Sequence, residues 1–112
     1  MLPVAMAELR YYLDLNGTSP FEKWLSTLDF QAAAKVTTAL VRVELGNVSN
    51  VKSAGSGIFE IKIDWGPGYR VYFGRDGGGV VILLTGGSKK RQDEDIKAAK
   101  LYWQDYRRRR KP

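Results

Sequence analysis

Two residue types are missing from the 112-residue chain altogether: cysteine and histidine. Without cysteine, neither disulfides nor thiolate metal sites are available. Without histidine, the chain loses the commonest general base and metal ligand, together with every Ser-His or Cys-His nucleophile pair. Its chemistry must come from Glu, Asp, Lys, Arg, Tyr or the backbone, and no metal or cofactor is expected. Long apolar runs are lacking too. The longest, VVILLT at 80–85, has strand length, far below the ~20 residues needed to cross a bilayer. No membrane partner is expected. The opening MLPVAMAEL has no basic n-region, so a cytoplasmic location is the simplest expectation.

Charge is present but unevenly placed. The chain carries +6, of which RRRRK at 107–111 supplies +5, leaving the body at only +1. Basicity is therefore a property of the end of the chain, where a solvated or frayed tail is the expectation. A length of 112 residues with 44% hydrophobic content fits one domain, 1–106, followed by a basic tail, 107–112.

Hydrophobic spacing predicts the elements. AELRYYLD at 7–14 suits an edge strand, with Leu9, Tyr11 and Leu13 on one side. Ser19 as N-cap, Pro20 at the first helical position and Glu22 three residues past the cap predict a short helix through Phe21, Trp24, Leu25 and Leu28. Asp29 caps a second helix at 30–45, with Ala33, Val36, Ala39, Leu40 and Val43 on its apolar face and Gly46-Asn47 as its stop. The Ser-, Asn- and Gly-rich stretch 47–57 is expected to be a loop. Three strands follow at 58–64, 69–75 and 80–86, joined by the short turns WGPG and RDGGG, which imply an antiparallel meander. A final helix at 90–106 places Ile96, Ala99, Trp103 and Tyr106 at helical spacing. The order β-α-α-β-β-β-α describes an α+β fold: an antiparallel sheet with a helical hairpin packed on one face and a C-terminal helix.

Side chains alternate along a strand. In FEIKIDWGPGYRVYF at 59–73, Phe59, Ile61 and Ile63 share a face, as do Tyr69, Val71 and Phe73. Glu60, Lys62, Asp64, Arg70 and Tyr72 take the other face. With the apolar set turned to the helices, these polar residues are expected on an open sheet face. Gly86-Gly87 permits close backbone approach there, and Ser88, Lys89, Lys90, Arg91 and Gln92 close one end. That is a candidate phosphate-binding cup. A plainer reading stands beside it, because alternating charges are ordinary on a half-exposed sheet and Glu60 could serve as a cross-strand partner. Asp93, Glu94 and Asp95 read as dipole-compensating charges at a helix start, and Asp76 reads as a turn residue.

The span GIFEIKIDWGPGYRVYFGRDGGGVVILLTGGSKKRQDEDIKAAKLYW, with FEKWLSTLD, LVRVELGN and VKSAGSGIFEIKI upstream, resembles the killer-protein, HigB-like branch of the RelE/ParE superfamily. The likeness covers about residues 8–106 and implies a toxin of a type II toxin–antitoxin module. It implies a cognate antitoxin as partner, a helix-turn-helix protein, with operator DNA bound only through that antitoxin. RelE-like members cleave mRNA on the ribosome without a metal, whereas ParE-like members poison DNA gyrase by binding, and a toxin fold without activity is a third outcome. On the nuclease reading, the resemblance assigns catalytic roles to Arg70, Lys62 and Lys89, with Arg70 as principal phosphate clamp. Glu60 is the candidate base, and Lys90, Arg91, Tyr72 and Gln92 are RNA contacts. Lys62 stands where many members carry Arg, which keeps the charge but loses the bidentate fork. The tyrosine that some RelE-type toxins place on the last helix has no match near Asp95.

Overall fold

The computed structural model describes residues 6–110; the first five residues, and Lys111 and Pro112 of the basic tail, lie outside them. Nine elements follow one another: β1 (Glu8–Tyr11), α1 (Pro20–Leu25), α2 (Phe30–Glu44), β2 (Val51–Gly55), β3 (Ile58–Ile63), β4 (Tyr69–Arg75), β5 (Val80–Ser88), a 3-10 turn (Lys89–Arg91) and α3 (Gln92–Arg109). The α+β class and the expected order hold, with one strand added.

Local chemistry sets the helix boundaries. The Ser19 hydroxyl accepts from the Glu22 amide at 3.0 Å, and Pro20 sits in the first turn. Only this forward half of the expected capping box is formed among the bonds present. The Asp29 carboxylate accepts from the Ala32 amide at 2.8 Å, a cap contributing about 1 kcal/mol. At the other end of α2, Asn47 N–H bonds Arg42 C=O and Gly46 N–H bonds Val43 C=O. This closing pattern needs the left-handed conformation of Gly46, at φ +92°.

The five strands are ordered β1-β5-β4-β3-β2. Strands β2 to β5 form an antiparallel meander, and β1 returns to the edge as a parallel neighbour of β5. The stretch expected to be a loop thus contains β2. Val51, Lys52 and Ser53 pair with Ile61, Glu60 and Phe59, and a register shift lies between Ser53 and Gly55. Its small and polar residues suit an exposed edge, where backbone pairing rather than apolar burial makes the strand.

The alternation along β3 and β4 is as expected, but both faces are covered. One face packs Ile61, Ile63, Val71, Phe73, Val81 and Leu83 against Phe21, Ala32, Val36 and Val43 of α1 and α2. The opposite face packs Ile58, Tyr72, Ile82 and Leu84 against Ala99 and Trp103 of α3. The sheet is the middle of three layers. Gly74 makes this possible: a Cβ there would lie 2.4 Å from the Trp103 ring, so the indole rests directly on the strand backbone.

Residues 107–109 continue α3 instead of leaving it as a tail. Arg109 pairs with Asp105 at 2.7 Å, and Arg110 pairs with Asp76 at 2.8 Å. The turn residue Asp76 thereby anchors the end of α3. Among the described residues no helix is long and apolar enough to cross a membrane, and no group of three or more His, Cys, Asp or Glu could hold a metal ion.

Candidate functional site

Strand register brings the polar residues of β3 and β4 together. Lys62 lies opposite Arg70, Glu60 opposite Tyr72, and Arg70 opposite Gly87 of β5. All belong to the face that α3 covers. The consequence corrects the expectation of an open cup. Arg70 is 5% exposed, Glu60 2% and Tyr72 0%. Arg70 Nε lies 2.9 Å from Glu60 Oε2, although its N–H is not directed at that oxygen. Arg70 Nη1 donates to Tyr69 C=O at 3.1 Å. The plainer reading of Glu60 as a cross-strand partner is therefore the arrangement found, in a diagonal pair.

Arg70, expected as an exposed phosphate clamp, and Glu60, expected beside it on an open face, are instead turned into the protein against one another. Gln92 closes over the pair, its Nε2 donating to Glu60 Oε1 at 3.4 Å. The Tyr72 hydroxyl is buried without a partner, and burial pushes its pKa well above the ordinary phenol value. Tyr72 and Gln92 accordingly belong to the roof and floor of this buried pair.

The exposed cations stand around it. Lys62 is half exposed and pairs loosely with Asp64 at 3.6 Å. The Lys89 stem packs over Gly68: a Cβ on Gly68 would lie 3.5 Å from Lys89 Cβ and 4.0 Å from Arg70 Nη1. The Lys89 stem and the Arg70 guanidinium thus both approach the start of β4 at Gly68. Lys90 and Arg91 are exposed on the 3-10 turn, and Arg91 reaches Glu94 at 2.8 Å. Pairs this exposed contribute little, so they leave the cations available. The expected residues fall into two strata: Lys62, Lys89, Lys90 and Arg91 are exposed, whereas Glu60, Arg70 and Tyr72 are buried beneath the half-buried Gln92.

Next to the 3-10 turn lies a groove of about 380 Å³, to which Trp24, Tyr69, Gly86, Gly87, Arg91 and Asp95 contribute. Spacing alone marks Trp24 as part of the apolar series of a short helix and Asp95 as a dipole-compensating charge. The Gly-Gly pair was the available signal. A Cβ on Gly86 would lie 2.4 Å from the Trp24 ring, and one on Gly87 would lie 1.7 Å from Asp95 Oδ2. Each glycine seats one side chain from a different helix. Burial pushes the Asp95 carboxyl above its ordinary value, against the opposing influence of Arg91, and its Oδ2 has no partner.

Residues 23–107, from α1 through nearly all of α3, match the family described as Phage derived protein Gp49-like (DUF891). The chain belongs to this family. The Gp49-like family is RelE-like and points to the toxin half of a toxin–antitoxin module, whose counterpart is a cognate antitoxin. The sheet and helices of this Gp49-like chain are compatible with a RelE-like α+β fold. A protein of Haemophilus influenzae (strain ATCC 51907 / DSM 11121 / KW20 / Rd), described only as "Uncharacterized protein", is 46% identical over 94 residues. The match covers 83% of this chain and 95% of that one.

Proposed function

We propose that this Gp49-like toxin is a metal-independent endoribonuclease that cleaves mRNA on the ribosome and so inhibits translation in the cytoplasm. The observation supporting the reading is the gathering of four exposed cations, Lys62, Lys89, Lys90 and Arg91, around one corner of the sheet. RNA cleavage of this kind needs cations where negative charge grows. The 2′-oxygen attacks phosphorus, its proton leaves, the P–O5′ bond breaks and the departing 5′-oxygen takes a proton. The products are a 2′,3′-cyclic phosphate and a 5′-hydroxyl end. Positioned donors in such sites often contribute ~3–4 kcal/mol to the transition state.

In this reading Lys62 and Lys89 contact the scissile phosphate, while Lys90 and Arg91 hold the flanking strand. The Glu60–Arg70 pair supports the corner from beneath. A helix-turn-helix antitoxin holds the toxin inactive and carries the complex to operator DNA. One observation favours a second reading, gyrase poisoning by binding alone: Glu60, the candidate base, is sealed against Arg70.

Mapping RNA ends after brief induction separates the two. New 5′-hydroxyl ends within translated messages are expected, and they should fall at least a hundredfold in the Lys62→Ala/Lys89→Ala double variant. Supercoiling defects with intact messages would replace this reading with the second.

A further inference from the structure

The groove beside the basic corner has the composition of a site for a nucleotide unit. Strand β1 pairs with β5 only as far as Tyr11 opposite Leu83, so β5 from 84 to 88 has no strand on its outer side. Trp24 and Leu28, from α1 and the turn after it, stand on one side of this edge; Arg91 and Asp95 stand on the other. The volume of about 380 Å³ falls in the range usual for ligand pockets, about 300–1,000 Å³. Trp24 and Tyr69 meet edge-on, with centroids 6.1 Å apart, and both line the groove. Trp24 is half-buried, and the absence of a side chain at Gly86 lets its six-membered ring rest on the strand.

Charge at the groove is mixed. Arg91 is exposed, with the Glu94 carboxylate as its competitor, and Lys89 and Lys90 precede it. Asp93, Glu94 and Asp95 oppose them, so the cations must outweigh a local acidic cluster to hold a phosphate. An aromatic wall beside a cation is the arrangement by which proteins hold single strands, stacking a base and neutralising its phosphate.

We propose that the groove binds one unstacked nucleotide of single-stranded RNA, its base against Trp24, which the buried Tyr69 backs edge-on, and its phosphate on Arg91. This rests on the nuclease reading for the choice of RNA, and it extends that reading by placing the flanking nucleotide of the substrate. The Gly86-Gly87 pair is the structural requirement, since side chains there would displace Trp24 and Asp95.

The test uses the full chain and a fluorescein-labelled single-stranded 2′-O-methyl oligoribonucleotide, which lacks the attacking hydroxyl, with binding read by anisotropy. Trp24→Leu is expected to weaken binding about tenfold without changing the salt dependence. Arg91→Ala should weaken it severalfold and reduce the slope of log K against log salt by about 0.7. Lys52→Ala, an exposed cation on β2 at the far edge of the sheet, serves as the control and should stay within twofold. Gly86→Ala should reproduce the Trp24→Leu loss. If Trp24→Leu does not fold, the Trp24 indole N–H resonance of the wild-type protein gives the second readout and should shift on adding the oligonucleotide.

Wild-type-like affinity in folded Trp24→Leu, equal effects of Arg91→Ala and Lys52→Ala, an unmoved Trp24 resonance, or no saturable binding by wild type would each overturn the proposal. Binding with the expected pattern, but no new RNA ends on induction, leaves the groove standing and removes the nuclease reading. New RNA ends that persist in Trp24→Leu at unchanged affinity do the reverse.

Discussion

Arg70 carries the sharpest consequence at the scale of single residues. Its charge and that of Glu60 are removed from water as a pair, and deleting one partner strands the other. Arg70→Ala is therefore expected to lose ~3–5 kcal/mol in urea unfolding, whereas Glu60→Leu/Arg70→Met should recover most of that loss. Loss of toxicity in Arg70→Ala would then report a weakened fold, and the double variant is the informative test of catalysis. Asp95 yields a pH prediction of definite sign. Its folded-state pKa lies above 3.8, so ionising it disfavours the folded state as pH rises through and beyond that value. Asp95→Asn should melt higher than wild type at pH 7, with the advantage vanishing below the ordinary carboxylate range. Thermal melts across pH check this.

At the scale of elements, α3 is the member whose placement matters most. Trp103 buries its ring against Gly74, and Tyr12 at the end of β1 donates to Asp105 at 2.6 Å. Trp103→Ala should lower stability by ~3–5 kcal/mol in denaturant unfolding, because the covered face loses its largest side chain. The Tyr12 and Arg109 bonds hold Asp105 down at about 2, while burial followed by Asp105 holds Tyr12 up at about 12. The Asp105 contribution is thus fully present above about pH 4 and is lost as pH falls toward 2. Tyr12→Phe should weaken that dependence, so its stability deficit relative to wild type is expected near neutrality and should shrink in acid. The parity of β3 and β4, both N-caps and the stop at Gly46 were legible in sequence, since each depends on near neighbours. Strand β2 was not. Its VKSAG sequence has the composition of a loop, and it becomes a strand because β3 offers an edge to pair with.

At the scale of the whole molecule, the sheet divides the chain into two cores, and the exposed cations collect where the sheet, the 3-10 turn and the start of α3 meet. The arginines at the end of α3 belong to a different region, tied to Asp105 and Asp76. Removing residues 107–112 is expected to lower the melting temperature by breaking these ties, while leaving the salt slope of oligonucleotide binding nearly unchanged. A large fall in that slope would instead make the arginine run part of the RNA-binding surface.

Periodicity, caps and turns by themselves determined the helices, every strand but β2, which side chains share a face, and that the chemistry must proceed without histidine or cysteine. Only the tertiary structure decided that the polar face of β3 and β4 lies beneath α3, turning Arg70 and Glu60 into a buried pair, and that Trp24 and Asp95 pack on Gly86 and Gly87 from opposite sides. The reason is physical. Alternation along a strand defines two faces from local geometry, but which helix covers each face depends on packing between residues distant in the chain.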